Sequence, residues 1–155
     1  MDDSPSPFAE PAADRQIPIY PEPLDDPKTL AMEILEAAWS KNAYQTRVLD
    51  VARVVNYTDI FVILSGRSDR QVVAIAEAIE AAFKARGIIP LGTEGRQAGT
   101  WMLLDFGSVV VHVFEKAARE YYDLEHLWSD AVPIEVTEPT WVQEFTKMEA
   151  GYDAS

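Results

Sequence analysis

Residues Ile60 to Leu64 form an unbroken apolar run inside Asp59–Ser65 (DIFVILS), and this run constrains the fold more than any other feature of the chain. A strand with one face in water alternates polar and apolar side chains. A strand apolar at every position must be covered on both faces. The rest of the sequence therefore has to supply a sheet around this strand and helices to cover it.

The remaining patterning meets that demand. Asp26 followed by Pro27 reads as a helix cap and first turn. Leu30, Ala31, Ile34, Leu35, Ala38 and Trp39 then recur at helical spacing, with Asn42 as a stop. Thr46–Ala52 reads as a strand. Gly66 breaks the chain after the apolar run, and Ser68 with Gln71 makes a capping box. The helix it opens carries Val72, Ile75, Ala76, Ile79, Ala82 and Phe83 on one stripe and ends at Gly87. Ile88–Leu91 reads as a short strand and Gly92–Thr100 as a glycine-containing loop. Trp101–Asp105 and Val109–Phe114 are two strands of a hairpin closed by Phe106-Gly107-Ser108. Ala117–Trp128 reads as one or two short helices. The expected fold class is α/β (α+β), with a single mixed sheet of about five strands flanked by helices.

The ends of the chain differ from its middle. Six of the ten prolines lie in residues 1–26, which carry a net charge of −6. Such a segment buries too little apolar surface to offset the entropy of ordering. Residues 1–26 are expected to be a disordered acidic arm, in which Ile17-Pro18-Ile19-Tyr20 is an apolar blip. Residues 27–132 are expected to be the folded domain, net −3. Residues 133–155, net −4, are expected to be an acidic tail in which Trp141, Phe145 and Met148 allow a short helix.

The overall charge of −13 disfavours phosphate backbone and anionic membrane as direct partners and favours a basic protein. No apolar stretch has membrane-spanning length, and the acidic N-terminus resembles neither a secretory signal nor a transit peptide. The cytoplasm is the expected location. Cysteine is absent, which excludes thiolate chemistry, and there are two histidines, His112 and His126.

Catalytic constellations are lacking. Ser65–Arg70 joins a strand to a helix beside two arginines, but without the spacing of a phosphate-binding loop. Metal-assisted phosphoryl transfer needs converging carboxylates. Asp59 and Asp105 stand singly at strand ends, and Asp123 and Glu125 fall in helical sequence, where i and i+2 do not share a face. Asp105-Phe106-Gly107 matches a kinase tripeptide by chance in a hairpin turn. No metal, cofactor or catalytic residue is assigned. What remains is surface chemistry: Trp101, Phe106, Tyr121, Tyr122 and Trp128 interleaved with Glu94, Asp105, Glu120, Asp123 and Glu125, with about half of the aromatics expected in the core.

Taken together, these segments resemble the ribosomal silencing factor (Iojap-like) family. The resemblance rests on Thr58–Ile63, Ser65-Gly66-x-Ser68-x-Arg70-x-Val72, Pro90-Leu91-Gly92-x-Glu94-Gly95, Trp101-x-Leu103-Leu104-Asp105-Phe106-Gly107, Val109–Phe114 and Arg119–Trp128. It implies a nucleotidyltransferase-like fold lacking the catalytic acids, and the acidic N-terminus points to a bacterial member. It implies a partner, ribosomal protein fourteen of the large subunit, and a block on joining of the small subunit that lowers translation in starvation or stationary phase. By position it assigns the contact to Trp101, Leu104 and Asp105, supported by Glu94, Gly95, Phe106, Tyr121 and Tyr122. Trp101 and Leu104 alternate across the strand, so one of them faces the core. The family pattern has histidine where Gln71 stands and aspartate where Ser108 stands. A divergent Mg-dependent nucleotidyltransferase using Asp59 or Asp105, and a homodimeric ribosome-assembly adaptor, are the alternatives.

Overall fold

The computed structural model describes residues 4–7, 10–11 and 25–154. Most of the predicted arm, including Ile17–Tyr20, lies outside the described residues. Helix α1 (Pro27–Trp39) starts where the sequence places it. Asp26 caps it, its Oδ1 accepting from Thr29 N at 2.9 Å, and its apolar stripe from Leu30 to Trp39 is buried. Strands β1 (Tyr44–Asp50) and β2 (Ile60–Gly66) follow, and every residue of β2 is buried. Ser68 caps α2 (Asp69–Lys84), its Oγ accepting from Gln71 N at 3.2 Å.

Gln71 does not close the capping box in the usual way. Its Oε1 accepts from Arg67 N at 2.6 Å, and its Nε2 donates to the carbonyls of Lys41 and Asn42 at 3.1 and 3.4 Å. The amide thereby ties the turn before β1 to the turn before α2.

The next elements are β3 (Gly92–Glu94), β4 (Trp101–Asp105) and β5 (Val109–Glu115), then α3 (Lys116–Tyr122) and α4 (Leu124–Leu127). The strand expected over Ile88–Leu91 is displaced. Proline has no N–H to give to a ladder, and contact with β4 begins beyond Pro90, where Leu91 N donates to Asp105 O at 2.7 Å and the paired register runs from Gly92 to Glu94. Residues expected as a loop thus supply the edge strand.

The segment read as an acidic tail also builds the fold. Strand β6 (Val132–Pro133) pairs with β1, and α5 (Thr140–Ala154) follows. Val142 is buried in the main core, and Glu138 accepts from Thr46 Oγ1 at 2.7 Å.

Among the described residues, the sheet has six strands in the order β3-β4-β5-β2-β1-β6. The pair β2–β5 is parallel and the other pairings are antiparallel. One face is covered by α1, α2 and part of α5, over Val62, Leu64, Met102, Leu104 and Val111. The other, over Phe61, Ile63, Trp101, Leu103 and Phe114, is covered by α3 and α4. The double cover demanded by Ile60–Leu64 is therefore present. Among the described residues, no helix is long and apolar enough to cross a membrane.

Candidate functional site

The residues assigned to the contact converge on the β3–β4–β5 half of the sheet, but not on one surface. Trp101 points to the α3/α4 face and is 0% exposed. Its ring stacks on Phe114 with centroids 4.9 Å apart and lies 4.7 Å from the ring of Tyr122. Its Nε1 donates to His112 Nδ1 at 3.1 Å. Leu104 and Phe106 point to the opposite face, where Phe106 meets Phe83 at 5.1 Å. Asp105 is buried and turned onto its own hairpin, with Oδ1 accepting from Gly107 N at 2.8 Å.

These placements put Trp101, Leu104 and Asp105 beneath the surface, with both Trp101 and Leu104 in core layers where alternation along the strand places one. Helices cover both faces of β4, so short-range alternation only chooses which layer a residue enters. Gly95 is buried as well, at φ +89°, and a Cβ there would lie 1.9 Å from Trp101 O. No side chain fits. The same built Cβ lies 3.2 Å from Pro5 Cδ, so a described piece of the arm packs at this loop.

What reaches the surface is the rim. Tyr121 is 82% exposed and stands edge-on to Tyr122, 5.1 Å away. Tyr122 and Glu94 are half-buried, and so is Trp128, which packs against Phe61 at 6.1 Å. The predicted aromatic cluster thus divides: Trp101 and Phe106 are core on opposite faces, Tyr122 and Trp128 are bridging, and Tyr121 is free of cover.

His112 serves this aromatic layer rather than acid–base chemistry. Burial alone drives its pKa down to about 3, so the imidazole is neutral and accepts from the indole. Its ring meets Phe61 edge-on at 4.9 Å.

Local sequence reading missed a buried polar node under α3. Arg119 is 8% exposed. It donates to Gln45 O, to Ser65 Oγ at 2.9 Å and to both carboxylate oxygens of Glu125 at 3.2 Å. Ser65 Oγ in turn donates to Gln45 Oε1 at 2.8 Å. Gln45 holds φ +54° at an irregularity in the β1–β2 register, and this presents its carbonyl to the guanidinium. The partners lie 74, 54 and 6 residues from Arg119. Only Glu125 is near enough for a sequence pattern to suggest it.

For metal chemistry, no group of three or more His, Asp or Glu residues among the described residues is arranged to hold an ion. Asp59 is exposed at the start of β2, while Asp105 is committed to its turn.

The fold and the sequence both have relatives. A Chromobacterium violaceum protein named ribosomal silencing factor is 38% identical over 104 residues, covering 67% of this chain and 83% of that protein. A crystal structure of a protein from Chromobacterium violaceum superposes with a TM-score of 0.65 at 30% identity, covering 74% of this chain and 91% of the other. The mouse protein named mitochondrial assembly of ribosomal large subunit protein 1 is 37% identical over 92 residues, covering 57% of this chain and 40% of its own length. Residues 24–154 match the family described as ribosomal silencing factor during starvation. That match spans every element from α1 to α5, and the chain belongs to the ribosomal silencing factor family.

Proposed function

We propose that the chain is a non-catalytic repressor of translation that acts in the cytoplasm. It binds the large ribosomal subunit through ribosomal protein fourteen and excludes the small subunit by steric block. The observation that carries this reading is the family match over the whole folded domain. The name of the mouse relative supports a large-subunit partner. The net charge of −13 favours a basic ribosomal protein over bare RNA.

Within this reading, the assigned residues take two roles. Tyr121, Tyr122 and Glu94, on the rim, make the contact. Trp101, Asp105 and Gly95 shape it from within, Trp101 propping Tyr122 and Asp105 holding the β4–β5 turn, while Leu104 and Phe106 anchor the same strand and turn in the opposite layer.

Sedimentation with separated ribosomal subunits tests the proposal. Wild type is expected to co-migrate with the large subunit alone. Tyr121→Ala removes an exposed ring from a folded protein and is expected to weaken co-migration by ~2 kcal/mol, the usual effect of truncating an interfacial aromatic anchor. Absence of co-migration at moderate salt would overturn the reading. Full co-migration of Tyr121→Ala would overturn the contact face alone.

A further inference from the structure

The parallel strands β2 and β5 send the chain in opposite directions. From Gly66 it turns into α2, which packs on the face of Leu64 and Val113. From Glu115 it turns into α3, whose Ala118 and Tyr122 pack on the face of Ile63 and Phe114. Where neighbouring parallel strands diverge in this way a crevice opens beyond their carboxyl ends, and open α/β sheets bind ligands there. A crevice of 530 Å³ lies at this point, lined by Tyr44, Arg67, Glu115, Lys116, Glu120 and, from α5, Glu149.

A second, independent feature points to a ligand. Tyr44 is 0% exposed and lines the crevice, yet its hydroxyl has no hydrogen-bond partner among the described residues. A buried hydroxyl without a partner is costly. Its pKa is pushed up to about 12, first by burial and then by Glu149 and Glu115. The phenol therefore stays protonated and is a donor without an acceptor.

Beside it, Arg67 Nε lies 3.1 Å from Glu149 Oε1, and its guanidinium sits 5.6 Å from the centre of the Phe145 ring. A carboxylate from the chain itself thus holds the arginine. Glu115 is engaged as the cap of α3, accepting from Ala117 N at 3.1 Å and Ala118 N at 3.3 Å.

We propose that this crevice binds a small oxyanion, a phosphate or a carboxylate, through the Tyr44 hydroxyl and the Arg67 guanidinium, with Glu149 of α5 as its intramolecular competitor. Ligand entry replaces the Arg67–Glu149 pair and supplies the acceptor that Tyr44 lacks. The site lies at the carboxyl ends of β2 and β5 and shares helix α3 with the proposed ribosomal contact.

The test uses the full-length chain as wild type, Arg67→Ala, Tyr44→Phe and Glu149→Gln. Each is titrated with sodium phosphate and with sodium acetate, matched in ionic strength by chloride, and amide chemical shifts are followed. Saturable shifts centred on Tyr44, residues 65–70, residues 115–118 and Glu149 are expected. The salt that binds more tightly distinguishes a phosphoryl from a carboxyl ligand. Removing the competing charge in Glu149→Gln is expected to tighten Kd by about tenfold, equivalent to ~1.4 kcal/mol. Arg67→Ala should lose saturation and Tyr44→Phe should bind several-fold more weakly. Tyr44→Phe should also fold well, since the hydroxyl supports nothing in the free chain. No saturable shift with either salt, even in Glu149→Gln, would overturn the site. Wild-type affinity in Arg67→Ala or Tyr44→Phe would overturn it equally, and an unchanged Kd in Glu149→Gln would overturn the competition.

Discussion

At the scale of single residues, two positions show how much depends on contacts distant in sequence. Gly95 combines φ +89° with a carbonyl where its Cβ would go, and that carbonyl belongs to Trp101 in β4. Gly95→Ala must move backbone, and a loss of at least ~2 kcal/mol is expected in urea denaturation. Gly107 has a similar φ of +87°, but its nearest obstacle is Leu91 Cδ1 at 3.5 Å. Gly107→Ala should cost only the left-handed backbone penalty, ~1–2 kcal/mol. His112 gives a prediction in pH. Its folded pKa of about 3 lies below the value of 6.5 for an unperturbed histidine. As pH falls below 6.5 the unfolded chain takes up a proton that the folded chain refuses. Stability is complete above 6.5 and declines toward pH 3, with a slope of ~1.4 kcal/mol per unit in the middle of that window. His112→Phe removes the acceptor of Trp101 Nε1 and should be less stable at neutral pH. It should also show a pH slope shallower by about one proton in denaturation series from pH 7 to pH 4.

The elements were largely legible where their signals are local. The Ser68 cap, the α1 and α2 stripes and the β4–β5 hairpin are written in spacings of two to four residues, and each forms where the spacing puts it. Ser68→Ala should therefore cost ~1 kcal/mol, the ordinary value of a lost helix cap. β3 lies later than expected because Ile88–Leu91 has strand-like composition, while pairing depends on which residues run alongside β4: Ile88 N is still bonded to Phe83 O of α2, and Leu91 N is the group that meets Asp105 O. The role of α5 was hidden for a related reason. Its acidic, polar composition resembles a solvated tail, yet Val142 is buried in the main core and Phe145 meets Tyr44 edge-on at 5.1 Å. Val142→Ala is expected to destabilise the whole domain by ~1–2 kcal/mol, on the scale of deleting buried methyl groups. A true tail would show no change in melting temperature.

For the whole molecule, a doubly covered sheet with an acidic surface is what the sequence announced. A chain of net charge −13, most of it carried by the two ends, should associate with a basic ribosomal surface more slowly as salt screens the attraction. The association rate with the large subunit is expected to fall steadily across a potassium chloride series, with little change in dissociation. A salt-independent rate would exclude electrostatic steering. By itself the sequence determined the double cover of Ile60–Leu64, the helix starts, the hairpin and the family, because each depends on residue type and short spacing. Tertiary structure decided which side chains are available. It buried Trp101, Leu104 and Asp105, left Tyr121 in solvent, and joined Arg119 to Gln45 and Ser65. Exposure is set by the strands and helices that pack against a residue. Those neighbours come from far along the chain, and only the folded sheet brings them together.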